Sequence, residues 1–210
     1  MAAILELRDL VVSAGPGAGR ARLSLAYDRA AFTVVPAGPG LARAFARTVA
    51  GLARPVSGRV LVGERDVTDV PPGSRQMGYV PAGGALLPHL TVRENIEYLL
   101  WRRDTVRDLI LGWEKVVVDR LELGPVLDQR PHEITAWQRL LGALARAVVS
   151  LPEVVVFDRP DTGAVGRLRA LLARLETAEA AGPSTVAFTV GEVPAGDADR
   201  VVRAVAVIEP

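Results

Sequence analysis

The sequence predicts an α/β protein, with a mostly parallel sheet flanked by helices, an antiparallel β edge at the N-terminus and an inserted helical subdomain. Three observations carry this. Ala31 to Val35 and Val154 to Phe157 are nearly unbroken apolar runs, the pattern of strands covered on both faces in a parallel sheet. Helix-periodic stretches lie between such runs, and strands alternating with helices build parallel sheets. Ile4 to Ser13 and Arg22 to Tyr27 instead alternate in part, around the turn Gly15-Pro16-Gly17-Ala18-Gly19, as a hairpin or meander would.

Taken in order, Pro36 to Gly40 reads as a Gly/Pro loop and Leu41 to Leu52 as a helix with Leu41, Phe45, Val49 and Leu52 on one apolar stripe. Gly58 to Val62 and Met77 to Val80 read as strands. Val92 to Leu123 is mostly helical, with Trp101 and Trp113 near its middle, and Thr135 to Leu151 is a second strong helix. Gly163 to Ala180 is an Arg-rich amphipathic helix. Thr185 to Val190 and Val201 to Ile208 are expected to close the sheet. The chain reads as a single domain over 1–210, with its core at 1–91 and 151–210 and the helical subdomain at about 92–150.

Composition removes several function classes. Half of the chain is hydrophobic, which permits a full core. A formal charge of +1 with interspersed signs suggests neither a nucleic-acid surface nor an electrostatic membrane anchor. Cysteine is absent, and His89 and His132 are far apart, so no metal site is expected. No stretch of about 18 apolar residues exists to span a bilayer. Met1 to Arg8 lacks a basic n-region and reads as a strand, so the cytosol is the expected compartment. Of the 25 basic residues only Lys115 is lysine. Any chemistry that needs lysine must use that residue.

Four segments in order resemble the ATP-binding cassette (ABC) family of P-loop ATPases. They are Val49-Ala-Gly-Leu52 with Pro55 to Val60; Met77 to Val80 with Ala85 to Ile96; Pro131 to Arg139 with Ala143 to Ala147; and Pro152 to Asp158 with Pro160. The resemblance implies a P-loop NTPase-like fold and ATP with Mg²⁺ as family ligands. Its implied partners are a transmembrane permease subunit and a second ABC subunit, with a place at the inner membrane face through the permease.

The same resemblance marks where this chain departs. The family's G-x-x-x-x-G-K-[ST] loop cradles phosphate with backbone N–H groups, lysine and a hydroxyl. That slot falls on Pro36 to Arg43: Leu41 stands for the close-approach glycine, Ala42 for the lysine and Arg43 for the hydroxyl. A register built on Gly38 and Gly40 finds no lysine either, and Pro39 removes one N–H. The plainer reading is a turn that starts a helix, too collapsed to hold a triphosphate; the alternative is a residual anion site at the helix N-terminus with Arg43.

Ala82 corresponds to the Q-loop glutamine. The signature L-S-G-G-Q reads Ile134-Thr135-Ala136-Trp137-Gln138, where Trp137 either fills the γ-phosphate space or packs at a helix start capped by Thr135. Asp158 survives, read either as an Mg²⁺ ligand or as a strand-end carboxylate bonded to nearby N–H groups and paired with Arg159. Arg159 replaces the catalytic glutamate and cannot act as a general base, because it stays protonated. Val190 replaces the switch histidine, the D-loop reads Thr162-Gly-Ala-Val165, and the adenine-stacking aromatic falls near Ala14. No catalytic residue and no bound metal are therefore expected, and ATP and Mg²⁺ enter by family resemblance alone.

The functional expectation is an ABC ATP-binding-subunit-like protein unable to hydrolyse ATP, acting as a scaffold or coupling subunit. The alternatives are a stand-alone regulatory protein on the same fold, or a divergent, weakly active ATPase. Family ATP sites lie between one subunit's P-loop and the other's signature, and this chain departs in both.

Overall fold

A computed structural model describes residues 4–27, 31–98, 107–175 and 183–207. Trp101, and the end of the expected helix at 176–180, lie outside the described residues.

Among the described residues ten strands form two sheets. The first is antiparallel, in the order β10 (Val205–Val207), β2 (Arg20–Tyr27), β1 (Leu5–Ser13), β4 (Ser57–Val62), β5 (Arg65–Asp66). The second is wholly parallel, in the order β6 (Met77–Val80), β7 (Val154–Asp158), β8 (Ser184–Val190), β3 (Phe32–Ala37), β9 (Arg200–Val201). Five α-helices lie among the described residues: α1 (Pro39–Val49), α2 (Val92–Glu97), α3 (Arg107–Arg120), α4 (Ala136–Val148) and α5 (Val165–Arg174).

Alternation along the parallel strands explains why their sequences read as solid apolar runs. Val34, Val155, Phe157 and Ala187 face one core with Ile96, Val117, Leu144 and Leu168 from the helices. Val35, Val154, Val156 and Phe188 face a second core, shared with Phe45 and Val49 of α1 and with Leu7, Leu23 and Val60 of the antiparallel sheet. Phe45 stacks on Phe188 with centroids 5.7 Å apart. Every residue of β7 is buried, because both faces are covered.

Three expectations need correction. The antiparallel edge is a complete five-stranded sheet, since β4, β5 and β10 join the hairpin. The strand expected from Val201 to Ile208 is two pieces: β9 extends the parallel sheet beside β3, while β10 pairs with β2 in the other sheet. The helix expected over Leu41 to Leu52 begins two residues earlier and ends at Val49. Its buried stripe is Ala42, Phe45, Ala46 and Val49, and Leu52 is exposed. Gly38-Pro39 explains the early start. Proline at the first helical position has its φ preset and no N–H to leave unsatisfied.

Candidate functional site

The residues singled out from the sequence fall into two places. The first is the start of α1. The strand β3 runs to Ala37 and the helix begins at Pro39, so the expected five-residue loop is reduced to one residue, Gly38. Gly38 is the N-cap with extended backbone and no side-chain cap, and the N–H of Ala42 closes the first turn on its carbonyl at 2.8 Å. Gly40 lies inside the helix. A Cβ placed on it would sit 2.8 Å from Cβ of Ala14, so the turn after β1 packs directly on the first turn of α1. Ala42 is fully buried in the second core, Leu41 is half-buried against it, and Arg43 is exposed.

The second place is the end of β7. Asp158 is 5 % exposed, and both its oxygens are engaged. Oδ1 accepts from Nε of Arg159 at 2.8 Å and Oδ2 accepts from the hydroxyl of Tyr79 on β6 at 2.7 Å. The expected pairing with Arg159 is present, but the second donor is a phenol rather than a backbone N–H. Burial, and then donation to Asp158, push the Tyr79 hydroxyl far above its ordinary pKa. Arg159 adopts a left-handed backbone at φ 50°, and its own N–H donates to the carbonyl of Phe188.

Ala82, Trp137, Asp158 and Arg159 line one open cavity of about 450 Å³, together with Arg167 of α5. The guanidinium of Arg167 lies 3.9 Å from the ring centroid of Trp137. Thr135 and Gln138 form a capping box at the start of α4: the threonine hydroxyl accepts from the Gln138 N–H, and the glutamine oxygen accepts from the Thr135 N–H. Val190 ends β8 and is 42 % exposed. The residues at the start of α1 do not line this cavity.

Sequence reasoning missed Tyr79, Arg167 and Arg75. The hydroxyl of Tyr79 meets a carboxylate 79 positions later, and nothing local announces that. Arg167 is one arginine in a run of them. Arg75 is buried and has no ion-pair partner among the described residues. Its guanidinium donates to the carbonyls of Thr48, Val49, Thr68 and Val70, and burial lowers its pKa. Among the described residues no cluster of three potential metal ligands occurs, and no helix is long and apolar enough to cross a membrane.

Comparison with known proteins agrees with this architecture. Over its whole length the fold resembles cbiO1 from Clostridium perfringens, part of the ABC transporter complex cbiONQ. The TM-score is 0.78 at 18 % identity, covering 99 % of this chain and 88 % of that one. It also resembles MJ0796, a bacterial ABC transporter cassette with a dimeric structure (TM-score 0.73, 21 % identity, 95 % and 93 % covered). In sequence the chain is 41 % identical over 123 residues to the sn-glycerol-3-phosphate import ATP-binding protein UgpC 3 of Rhizobium etli, covering 59 % of this chain and 35 % of the relative. It is 38 % identical over 130 residues to UgpC of Ruegeria pomeroyi, covering 62 % and 37 %. The chain thus spans about a third of the length of the curated relatives it matches. The ABC transporter family model matches residues 44–162, from the body of α1 through the turn after β7. That segment holds both the Asp158 strand end and the capped start of α4, and on this match the chain belongs to the ABC transporter family.

Proposed function

We propose that this chain is an ABC ATP-binding-type subunit that does not hydrolyse ATP and works as a scaffold or coupling subunit beside a transmembrane permease or an ATPase partner. The observation that carries the reading is the start of α1. A phosphate cradle needs several loop N–H groups pointing at one anion. Here one residue joins strand to helix, Pro39 contributes no N–H, and the turn holding Ala14 packs on Gly40. Ala42 turns into the core, and the missing lysine contact alone forfeits roughly 1.5–3 kcal/mol.

The Mg²⁺ position fits no better. Both oxygens of Asp158 are committed to Tyr79 and Arg159, and the guanidinium of Arg159 supplies the positive charge that a divalent cation would. These residues as arranged do not fit a Mg²⁺ ion.

Support for a partner role comes from the loop before α2. Asn95 is fully buried. Its Oδ1 accepts from the Leu87 N–H at 2.7 Å, and its Nδ2 donates to the carbonyls of Leu87, Leu90 and Thr91. The segment carrying exposed Pro88 and His89 is thereby held in one shape beside the helical region that follows. The curated relatives bear the names of import ATP-binding proteins, and we propose an importer's permease as the partner. We further propose the single-domain division inferred above, with 92–150 as the helical part.

Titrating Mg·ATP into the full chain tests the reading. At a hundredfold excess over a micromolar dissociation constant, binding would raise stability by about 2.7 kcal/mol. No shift in melting temperature and no phosphate release above background are expected. Saturable micromolar binding or steady turnover would overturn the proposal.

A further inference from the structure

We infer that the cavity between Ala82, Trp137 and Arg167 binds a small organic anion with a flat apolar body, of the aromatic-carboxylate class. Its volume of about 450 Å³ lies in the range of small-molecule sites. Four segments line it: the chain after β6, the first turn of α4, the end of β7 and the turn into α5 with the first turn of that helix. Trp137, Leu140 and Phe157 give it apolar walls.

The polar groups decide the charge of the ligand. Asp158 is satisfied on both oxygens, by Tyr79 and Arg159. Oδ1 of Asp161 accepts from the N–H of Gly163 and holds the turn before α5. Nε of Arg159 is spent on Asp158. Arg167 is exposed and makes neither an ion pair nor a hydrogen bond among the described residues; its contact is with the Trp137 indole, whose ring centroid lies 3.9 Å from the guanidinium carbon. A cation held over a ring spends no N–H donor on a carboxylate, so those of Arg167 remain available for one. The unspent donors of the cavity are those of Arg167 and the terminal nitrogens of Arg159, while Asp161, exposed on the turn, is the one carboxylate of the lining with no cation partner among the described residues.

The departures from the family pattern act in the same sense. The positions that resemble a glutamine and a glutamate, both carrying acceptor oxygens, hold a methyl at Ala82 and a guanidinium at Arg159. The position that resembles a glycine holds the indole of Trp137. Exchanging acceptors for a cation and a ring turns a site suited to a metal and water into one suited to an anion with an aromatic body. The ligand is metal-free, and its binding does not depend on whether ATP is hydrolysed.

Calorimetric titration of the full chain in Mg²⁺-free buffer tests it, with 1-naphthoate as the probe and neutral 1-naphthamide as its isostere. Naphthoate is expected to bind saturably at one site, and naphthamide at least tenfold more weakly. The variant Arg167→Met should weaken naphthoate by at least tenfold and abolish the difference between the two compounds. Ala82→Leu, which fills the cavity, should weaken both. Absence of saturable naphthoate binding, equal affinity for the amide, or no effect of Arg167→Met in a folded variant would each overturn the inference. Should Arg167→Met fail to fold, the naphthoate-to-naphthamide ratio on the unaltered chain decides alone. Binding of Mg·ATP would overturn the functional reading and leave this one standing.

Discussion

The hydroxyl of Tyr79 donates to Oδ2 of Asp158 across the β6–β7 pair at 2.7 Å, while Tyr27, buried to a similar depth as Asp158, has a hydroxyl with no partner among the described residues. The two tyrosines should answer the same substitution in opposite ways. Tyr79→Phe removes a bond to a charged acceptor that is almost wholly buried, and should cost about 1.5–3 kcal/mol. Tyr27→Phe removes an unsatisfied hydroxyl from an apolar core, and should be neutral or stabilise by about 1 kcal/mol. Urea denaturation of both variants at pH 7 checks this. A Tyr27→Phe variant that loses as much as Tyr79→Phe would count against the burial described for β2.

The same pair sets the alkaline limit. Burial raises the pKa of Tyr27, and burial followed by the bond to Asp158 raises that of Tyr79. A phenol in the unfolded chain titrates near about 10. Above that pH the unfolded state loses protons that the folded state keeps. The contribution of each tyrosine is therefore complete below about pH 10 and is lost as pH rises toward its folded value. The loss approaches about 1.4 kcal/mol per pH unit for each group. Stability measured at pH 9, 10 and 11 should fall steeply over the last step, and Tyr27→Phe should remove about half of the slope. An unchanged slope in that variant would assign the alkaline transition to other groups.

Much of this framework is legible in the sequence because it is written locally. Val154 to Phe157 reads as a covered strand since neither face needs polar residues, and Met77 to Val80 falls on the observed strand. Thr135 and Gln138 announce the start of α4 through the spacing of a capping box, as Thr91 and Glu94 do for α2. The start of α1 is less legible. A run of glycine and proline suits a loop as well as a capped first turn, and only the packing of Ala14 on Gly40 and of Ala42 in the core decides. Bonds that close over long separations leave no local trace. The contacts of Tyr79 with Asp158, and the assignment of β9 and β10 to different sheets, belong to that kind.

Arg75 shows how a buried cation is kept without a carboxylate. Four carbonyls around one planar fork satisfy it, two of them from the end of α1. Lysine has three donors on a single atom and cannot span those positions, so Arg75→Lys should lose about 3 kcal/mol or more. Gly51 approaches the same fork. It has φ 81°, and a Cβ there would fall 2.4 Å from Nε of Arg75. Gly51→Ala should therefore destabilise by about 2 kcal/mol or more, combining a left-handed backbone with the clash. The two sites share a partner, so the double variant should lose less than the sum of the single variants. Guanidinium chloride denaturation of the three proteins measures this, and strict additivity would sink the clamp.

Ala42 offers the sharpest test of where α1 begins. Read against the family pattern, Ala42→Lys restores the phosphate-binding lysine, and a gain of ATP binding would be the naive expectation. The structure places Ala42 in the second turn of a helix that starts at Pro39, fully buried against the second core with Phe45 and Val49. An ammonium there is set among the apolar side chains of that core and must either displace them or lose its charge, each at a cost of several kcal/mol. Arg43→Ser, one residue along on the exposed face, should stay within about 0.5 kcal/mol of the unaltered chain. We expect Ala42→Lys to lower stability by at least about 3 kcal/mol and to bind no Mg·ATP in the fraction that folds. Denaturation curves for the two variants, with the Mg·ATP titration repeated on each, decide between the expectations. If Ala42→Lys keeps full stability and binds ATP, the lysine has found solvent and a phosphate, which requires an open loop before the helix and refutes the early start of α1.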